Sequence, residues 1–150
     1  MEIITKSFAE LTNIELYKLL QLRSTVFVVE QDCVYLDQDG IDLDAVHVFV
    51  MDGENMVACL RVIDKGNRLD EVSIGRVVTA PSHRKTGLGA VVMKKGIDVA
   101  KSHFNAKLIK IGAQKQAQGF YEKLGFKAIK GSDYLEDNQP HIYMTYEYDN

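Results

Sequence analysis

Arg84, Gly87 and Gly89 form the pattern Arg-x-x-Gly-x-Gly. It follows Val77-Val78-Thr79-Ala80-Pro81-Ser82-His83 and leads into Ala90. The stretch reads as a strand, a Pro-marked turn, a glycine-rich bend and the first turn of a helix. A helix N-terminus presents N–H groups without intrahelical partners, at the positive end of the helix dipole. With a fixed cation beside it, such a terminus is a binding site for a phosphate chain. A Cβ at 87 or 89 would hold a pyrophosphate away from the backbone. No Gly-Lys-Ser/Thr is present, so this is not a P-loop. No third glycine completes the dinucleotide fingerprint, and the next acidic residue, Asp98, falls inside the predicted helix. The plain alternative is a helix-entry turn in which Arg84 is only an exposed cation.

The run Val-Thr-x-Pro, Arg-x-x-Gly-x-Gly-Ala resembles the acyl-CoA-binding core of the GNAT superfamily of N-acyltransferases, with Thr79 where Val is usual. Gln114-Lys115-Gln116-Ala117-Gln118-Gly119-Phe120-Tyr121-Glu122-Lys123-Leu124-Gly125-Phe126 resembles that superfamily's Asn-x-x-Ala-(x)-Tyr-x-x-x-Gly-Phe helix, with Gln for Asn. The segments from Phe27 to Tyr35 and from Tyr134 to Met144 are similar to the ElaA-like branch. The resemblance spans most of the chain. It implies an α/β fold with a mixed, mostly antiparallel sheet flanked by helices. Two parallel central strands, 70–79 and 108–113, would splay apart to admit the donor's pantetheine arm. It also implies transfer of an acetyl group from acetyl-CoA, a co-substrate, to an amine by direct transfer in a ternary complex without a metal. The backbone of Val77, Val78 and Thr79 would pair with pantetheine. The N–H groups of Arg84, Lys85, Thr86, Gly87, Leu88, Gly89 and Ala90 would surround the pyrophosphate, the Arg84 side chain adding charge. Gln114 and Ala117 would complete the donor site. The rival reading is an acyl-CoA-binding sensor or partner module without turnover.

Acetyl transfer from a thioester to an amine needs a bound donor, a neutral amine, a stabilised oxyanion and a proton for the departing thiolate. The resemblance points to Tyr121 as the acid. A phenol of pKa about 10 serves only within hydrogen-bond reach of the sulfur. Its alternative is a core aromatic on an amphipathic helix. For the base, Glu30, His47 and His141 compete, with Glu30 and His141 favoured because both lie in the ElaA-like segments. Glu30 otherwise ends a helix, His47 is a core histidine, and His141 starts a strand after Pro140. His83 is expected to flank the donor phosphates. Arg61 and Arg76, in predicted strands among apolar neighbours, each need a carboxylate or a substrate anion.

These groups need a scaffold, and 150 residues suffice for one domain, 1–150, with a real core. Strands are expected at Ile3–Phe8, Ala45–Met51, Asn55–Asp64, Arg68–Thr79, Leu108–Ala113, Phe126–Lys130 and His141–Tyr148. Helices are expected from Thr12 to Val28 or Val29, from Gly87 to Phe104, and from Gln116 to Leu124. Thr12 and Glu15 form a capping box, with Leu11 and Leu16 as its staple. The first helix should bury Leu16, Leu19, Leu20, Arg23 and Phe27. Asp37-Gln38-Asp39-Gly40 is not an EF-hand, because its glycine is fourth and Val48 stands where the twelfth ligand belongs.

Residues 1–60 hold three Lys or Arg against eleven Asp or Glu, whereas 61–150 hold fifteen against ten. That asymmetry suits a polyanionic donor on one half and a cationic acceptor on the other, or else an acidic loop that is merely solvated. The acceptor is expected to be a small-molecule amine or a peptide or protein amino group. Nucleic acid is excluded, because the basic residues are dispersed among acids and form no binding module. No apolar run reaches about 20 residues and no signal segment opens the chain, so a cytoplasmic protein without membrane contact is expected. Cys33 and Cys59 are too few and too separated for a disulfide framework or a zinc site. The Tyr-rich last strand is suited to an edge-to-edge homodimer or to the core.

Overall fold

Thr12 starts the first long helix in the way its sequence predicts. Its hydroxyl accepts the Glu15 N–H at 3.1 Å, and the Glu15 carboxylate accepts the Thr12 N–H at 2.8 Å. In this computed structural model, which describes residues 1–149, that helix is α1 (Asn13–Arg23). It then widens into a π-helical stretch, Ser24–Glu30, in which the Gln31 N–H reaches back to the Val26 carbonyl. The wider turn shifts the buried face. Leu19, Leu22, Arg23 and Val26 are buried, and Leu16, Leu20 and Phe27 only partly so. A 3.6-residue period carried through to residue 28 misses that shift.

The strands are β1 (Glu2–Ser7), β2 (Val46–Asp52), β3 (Asn55–Ile63), β4 (Ser73–Thr79), β5 (Leu108–Gln114), β6 (Lys127–Ala128), β7 (Tyr134–Glu136) and β8 (Gln139–Glu147). The remaining helices are α2 (Leu88–Phe104) and α3 (Gln118–Lys123). One sheet runs β1-β2-β3-β4 and the other β5-β8-β6, with β7 also on β8. All ladder pairings are antiparallel. The sheets meet at one parallel bridge, Val72 to Ile109, where the Lys110 N–H donates to the Val72 carbonyl at 3.0 Å. Beyond it β4 and β5 part.

One face of the sheet packs on α2, through Val48, Leu60, Val92, Met93, Ile109 and Met144 among others. The other packs on α1 and the π-helical stretch, through Leu19, Leu22, Val26, Phe49, Cys59 and Val78. α2 has a helical repeat of buried residues, Leu88, Val92, Met93, Gly96, Ile97, Val99 and Ala100, because it lies flat on the first face.

The strand expected within Arg68–Thr79 runs from Ser73 to Thr79, and 64–72 is a connection. Two expectations need correction. The loop before the last strand contains β7, paired to β8 through the two-residue turn Asp137-Asn138, whose φ values are 49° and 64°. Such a turn matches the twist of its strands, and the Asp-Asn pair is its sequence signal. Finally, β8 lies between β5 on one side and β6 and β7 on the other. Its backbone is engaged on both sides, so edge-to-edge pairing of two copies through this strand is excluded.

The acidic segment after α1 folds inward. Arg23 Nε lies 2.8 Å from Asp37, and its terminal nitrogens reach Asp42 at 2.7 and 3.1 Å. Arg61 grips Asp39 at 2.8 and 2.6 Å and Asp42 at 3.0 Å. Arg76 lies 2.8 Å from Asp37 and 3.5 Å from Asp39. Three guanidiniums thus meet three carboxylates, so these acids form neither a solvated loop nor an anionic face. His47 belongs to the same layer. It is fully buried, donates from Nε2 to the Asp42 carbonyl at 2.9 Å, and is held neutral by burial, which lowers its pKa. It is a core histidine.

Candidate active site

Arg76 sits at the bend that opens the sheet. Thr79 pairs with Ala58 and Val78 with Cys59, but Gly75 pairs with Arg61. Two β4 residues therefore oppose the single Leu60, which is a β-bulge. Arg76 takes a left-handed φ of 51°, a conformation that costs a non-glycine residue about 1–3 kcal/mol. Its contacts with Asp37 and Asp39, and the Tyr35 ring 5.5 Å below its guanidinium, hold it there. Past the bulge, the edge of β4 that faces β5 has no strand partner. Its outward backbone N–H and C=O groups can bond an extended ligand, apart from the Thr79 carbonyl, which accepts from Arg84 Nε at 3.3 Å.

A cavity of about 250 Å³ occupies this gap. Val77, Val78 and Thr79 form one wall, Ile111, Gly112 and Gln114 the other. Ala117, Tyr121 and Arg84 also line it, and Phe27, Gln31 and Tyr35 come from the α1 side. Arg68, Glu136 and His141 are part of the same lining.

The phosphate-loop residues adjoin the mouth. Lys85 and Gly87 are left-handed, with φ of 62° and 82°. Gly87 is the N-cap of α2 and no side chain caps that end. The first-turn N–H groups of Leu88, Gly89 and Ala90 therefore have no intrahelical partner. The Leu88 side chain is buried and anchors the turn. At Gly89 a Cβ would stand 3.4 Å from the Phe120 ring and 3.5 Å from the Thr79 hydroxyl, so glycine keeps the entrance open. The Thr86 hydroxyl is engaged with the His83 carbonyl at 2.6 Å. His83, expected beside the phosphates, instead lies 2.9 Å from Asp52 and 2.7 Å from the Ser82 hydroxyl.

Glu30 is not brought into the cavity. Its carboxylate accepts two hydrogen bonds from Arg84, at 2.6 and 2.5 Å, and this pairing lowers its pKa. A base is served by the opposite shift, so this arrangement favours His141 over Glu30 for that role. Gln114 ends β5, and its amide donates to Gln31 at 3.1 Å.

Tyr121 faces the gap from α3, with its ring against Phe120 and Phe126 at centroid distances of 5.1 and 5.7 Å. Burial alone pushes its phenol up to about 12, and no protein group shares its proton. His141 donates from Nδ1 to the Gln139 carbonyl at 2.8 Å. A carbonyl only accepts, so Nδ1 carries the proton and Nε2 is the basic nitrogen. Nε2 lies 3.6 Å from the Glu136 carboxylate. Cys59 is no nucleophile, because burial pushes its thiol up to about 12.

Residues 28–148 match the acetyltransferase (GNAT) domain family. The chain belongs to this family. It is 39% identical to the ElaA protein of Escherichia coli strain K12, covering 93% of this chain and 92% of that protein. The crystal structure of E. coli ElaA superposes with a TM-score of 0.89 at 38% identity, over 97% of this chain and 99% of that one. An acyl-CoA N-acyltransferase from Pseudomonas aeruginosa gives 0.88 at 38% identity, with the same coverage. An aminoglycoside 6′-N-acetyltransferase complexed with coenzyme A shares the fold, with a TM-score of 0.72 at 17% identity over 96% of each chain. The mixed α/β architecture and the splayed parallel strands are those of this GNAT fold. Among the described residues, no helix is long and apolar enough to cross a membrane.

Arg68, Glu136, Tyr35 and Gln31 were not singled out as site residues by sequence reasoning. Arg68 and Glu136 are 68 positions apart, and no local spacing announces their meeting.

Proposed function

We propose that this GNAT-family acyltransferase moves an acetyl group from acetyl-CoA to an amine by direct transfer in a ternary complex. The observation that carries this reading is the continuity of the gap. It takes in Arg84 and Thr79, whose hydroxyl lies beside Gly89 in the first turn of α2, the unpaired edge of β4, and Tyr121 and His141. The α2 terminus suits the pyrophosphate, the β4 edge suits the pantetheine amides, and Gln114 and Ala117 flank them.

In this reading His141 Nε2 takes a proton from the acceptor ammonium, and Glu136 stabilises the imidazolium that forms. The freed amine nitrogen bonds to the thioester carbon. Free N–H groups on the β4 edge are the donors available to the developing oxyanion. As the C–S bond breaks, the sulfur keeps the electron pair and takes the Tyr121 proton, while the adduct nitrogen gives up its second proton to solvent. The proton collected at His141 leaves to solvent, and Tyr121 regains one from solvent. The balance is one amide, one thiol and one proton released for each ammonium consumed.

The acceptor is a small-molecule amine or a peptide or protein amino group; neither nucleic acid nor membrane enters this reading. The setting is the cytoplasm, where the free thiols of Cys33 and Cys59 stay reduced. A binding module without turnover would have no use for a phenol and an imidazole in one cavity, so the sensor reading is the weaker one.

The test is a calorimetric titration with acetyl-CoA beside an acetyl-pantetheine fragment lacking the 3′-phospho-ADP portion. Saturable binding of acetyl-CoA is expected, with a large loss of affinity for the fragment. A folded sample that binds neither overturns the donor assignment. Glu30→Gln provides a second check. It frees the Arg84 guanidinium, so acetyl-CoA affinity is expected to rise a few-fold, less at high salt, with kcat preserved. A collapse of kcat would restore Glu30 as the base.

A further inference from the structure

The cavity end beyond His141 has a distinctive pair of charges. Three of its four arginines are committed to several oxygens each. Arg61 is held by Asp39 and Asp42, Arg76 by Asp37 and Asp39, and Arg84 by both oxygens of Glu30 and the Thr79 carbonyl. Arg68 differs. Its one carboxylate contact among the described residues is Glu136 Oε1 at 3.2 Å, it lies beside the Tyr134 hydroxyl, and its side chain is a quarter exposed. A guanidinium has five N–H donors, so most of Arg68's capacity is unused.

The Tyr134 hydroxyl is likewise unused. It is buried, has no well-formed hydrogen bond among the described residues although Arg68 lies beside it, and sits where a Cβ at Gly112, a residue of the cavity wall, would be 2.0 Å away. The ring is fixed between Tyr143, stacked at 4.5 Å, and His141 at 5.3 Å. Burial pushes the Tyr134 phenol up to about 12, and the nearby Arg68 guanidinium acts against that rise. A neutral phenol and an under-used guanidinium side by side form a donor pair for a carboxylate.

The order along the wall gives direction. His141 pairs with Gln114 across β5 and β8, next to the donor end. Glu136 comes next, offering Oε2 to His141 at 3.6 Å and Oε1 to Arg68. Arg68 and Glu136 neutralise each other through one loose contact, which a ligand with both charges can replace at no net cost in charge.

We propose that the acceptor is an amine that also carries a carboxylate, an amino-acid-like zwitterion. Arg68 and Tyr134 bind the carboxylate, and the amine points to Glu136 and His141. This rests on the acetyltransferase reading above and names its substrate class.

The test offers free L-amino acids, each beside its carboxamide, with acetyl-CoA. Lysine is included because it presents an α-amine and a side-chain amine. Coenzyme A release gives the rate and mass spectrometry identifies the product. For the acids that react, amidation is expected to lower kcat/KM at least about tenfold, mainly through KM, the worth of one charge-assisted hydrogen bond. Arg68→Gln is expected to erase that preference. Tyr134→Phe is expected to raise KM for the acid while leaving Tm unchanged or higher, because it deletes an unsatisfied hydroxyl. A purely structural Tyr134 would lose Tm instead. Equal kcat/KM for acid and carboxamide overturns the proposal, as does a preference that survives Arg68→Gln. Failure of every acid with a protein that binds acetyl-CoA also overturns it. Absence of acetyl-CoA binding overturns the reading beneath it, and the proposal with it.

Discussion

Tyr121→Phe is expected to lower kcat by about 10²–10⁴-fold, the usual contribution of a positioned general acid. The change removes one oxygen and leaves the ring. The contacts with Phe120 and Phe126 persist, so Tm and acetyl-CoA affinity should stay as they are. The variant must expel coenzyme A as an unprotonated thiolate from a partly desolvated site. Burial that pushes the phenol up to about 12 raises the proton affinity of a thiolate in the same gap as well, so transfer between them remains feasible. The shift also keeps Tyr121 protonated at every pH the protein is expected to survive. The rate–pH profile should therefore show no alkaline limb from this residue, only the acid limb set by deprotonation of the acceptor and its base. Single-turnover kinetics of the two proteins with a common acceptor would decide the matter. An unchanged chemical step in the variant removes the acid role.

Asp42→Ala is expected to destabilise the fold by about 3–5 kcal/mol, the cost of breaking a buried ion pair from one side. Asp42 accepts from Arg23 at 2.7 and 3.1 Å and from Arg61 at 3.0 Å, and both arginines are 1% exposed. Its removal leaves an extra positive charge with no solvent to receive it. The loss is a large share of the about 5–15 kcal/mol that holds an ordinary domain together. Thermal melting should show it as a Tm lower by about 10 °C or more. A drop of only a degree or two would mean that water reaches the cluster.

The same groups make the protein acid-sensitive in two stages. Burial lowers the pKa of His47, so the unfolded chain binds its proton more readily, and stability falls as pH drops below about 6.5. Burial would raise Asp39 and Asp42, but their arginine partners outweigh it and hold both below the usual carboxylate range. The stability they contribute is whole above about pH 4 and is lost as pH falls from there through their folded values. Urea unfolding across this range should show both stages in wild type, with the lower one reduced in Asp42→Ala.

The donor site was legible because it is local. Residues 77–90 supply a strand edge, a left-handed glycine and an uncapped helix start in one continuous run. In the proposed donor site backbone N–H groups would do most of the binding, so spacing alone carries the signal. The capping box at Thr12 was readable for the same reason. The helix after Thr12 was less so. Its π-helical turns alter the period, and no residue type in Ser24–Glu30 announces them.

The acceptor end and the charge network could not be read that way. Arg68 comes from a connection, Glu136 from β7, His141 from β8 and Tyr35 from the segment after α1. Sequence offered Glu30 and His141 as equal bases. Folding assigned Glu30 to Arg84, 54 positions away, and set His141 in the cavity lining with Nδ1 engaged and Nε2 3.6 Å from Glu136. It also gave Asp37, Asp39 and Asp42 to three arginines, where composition alone allowed an anionic surface. By itself, then, the sequence determined the family, the element order and the glycine-rich loop with its uncapped helix start, all of which depend on neighbours along the chain. Only the tertiary structure decided which charges are satisfied internally and which remain for a substrate. Side-chain pairing depends on distance across a twisted and bulged sheet, and sequence separation does not encode that distance.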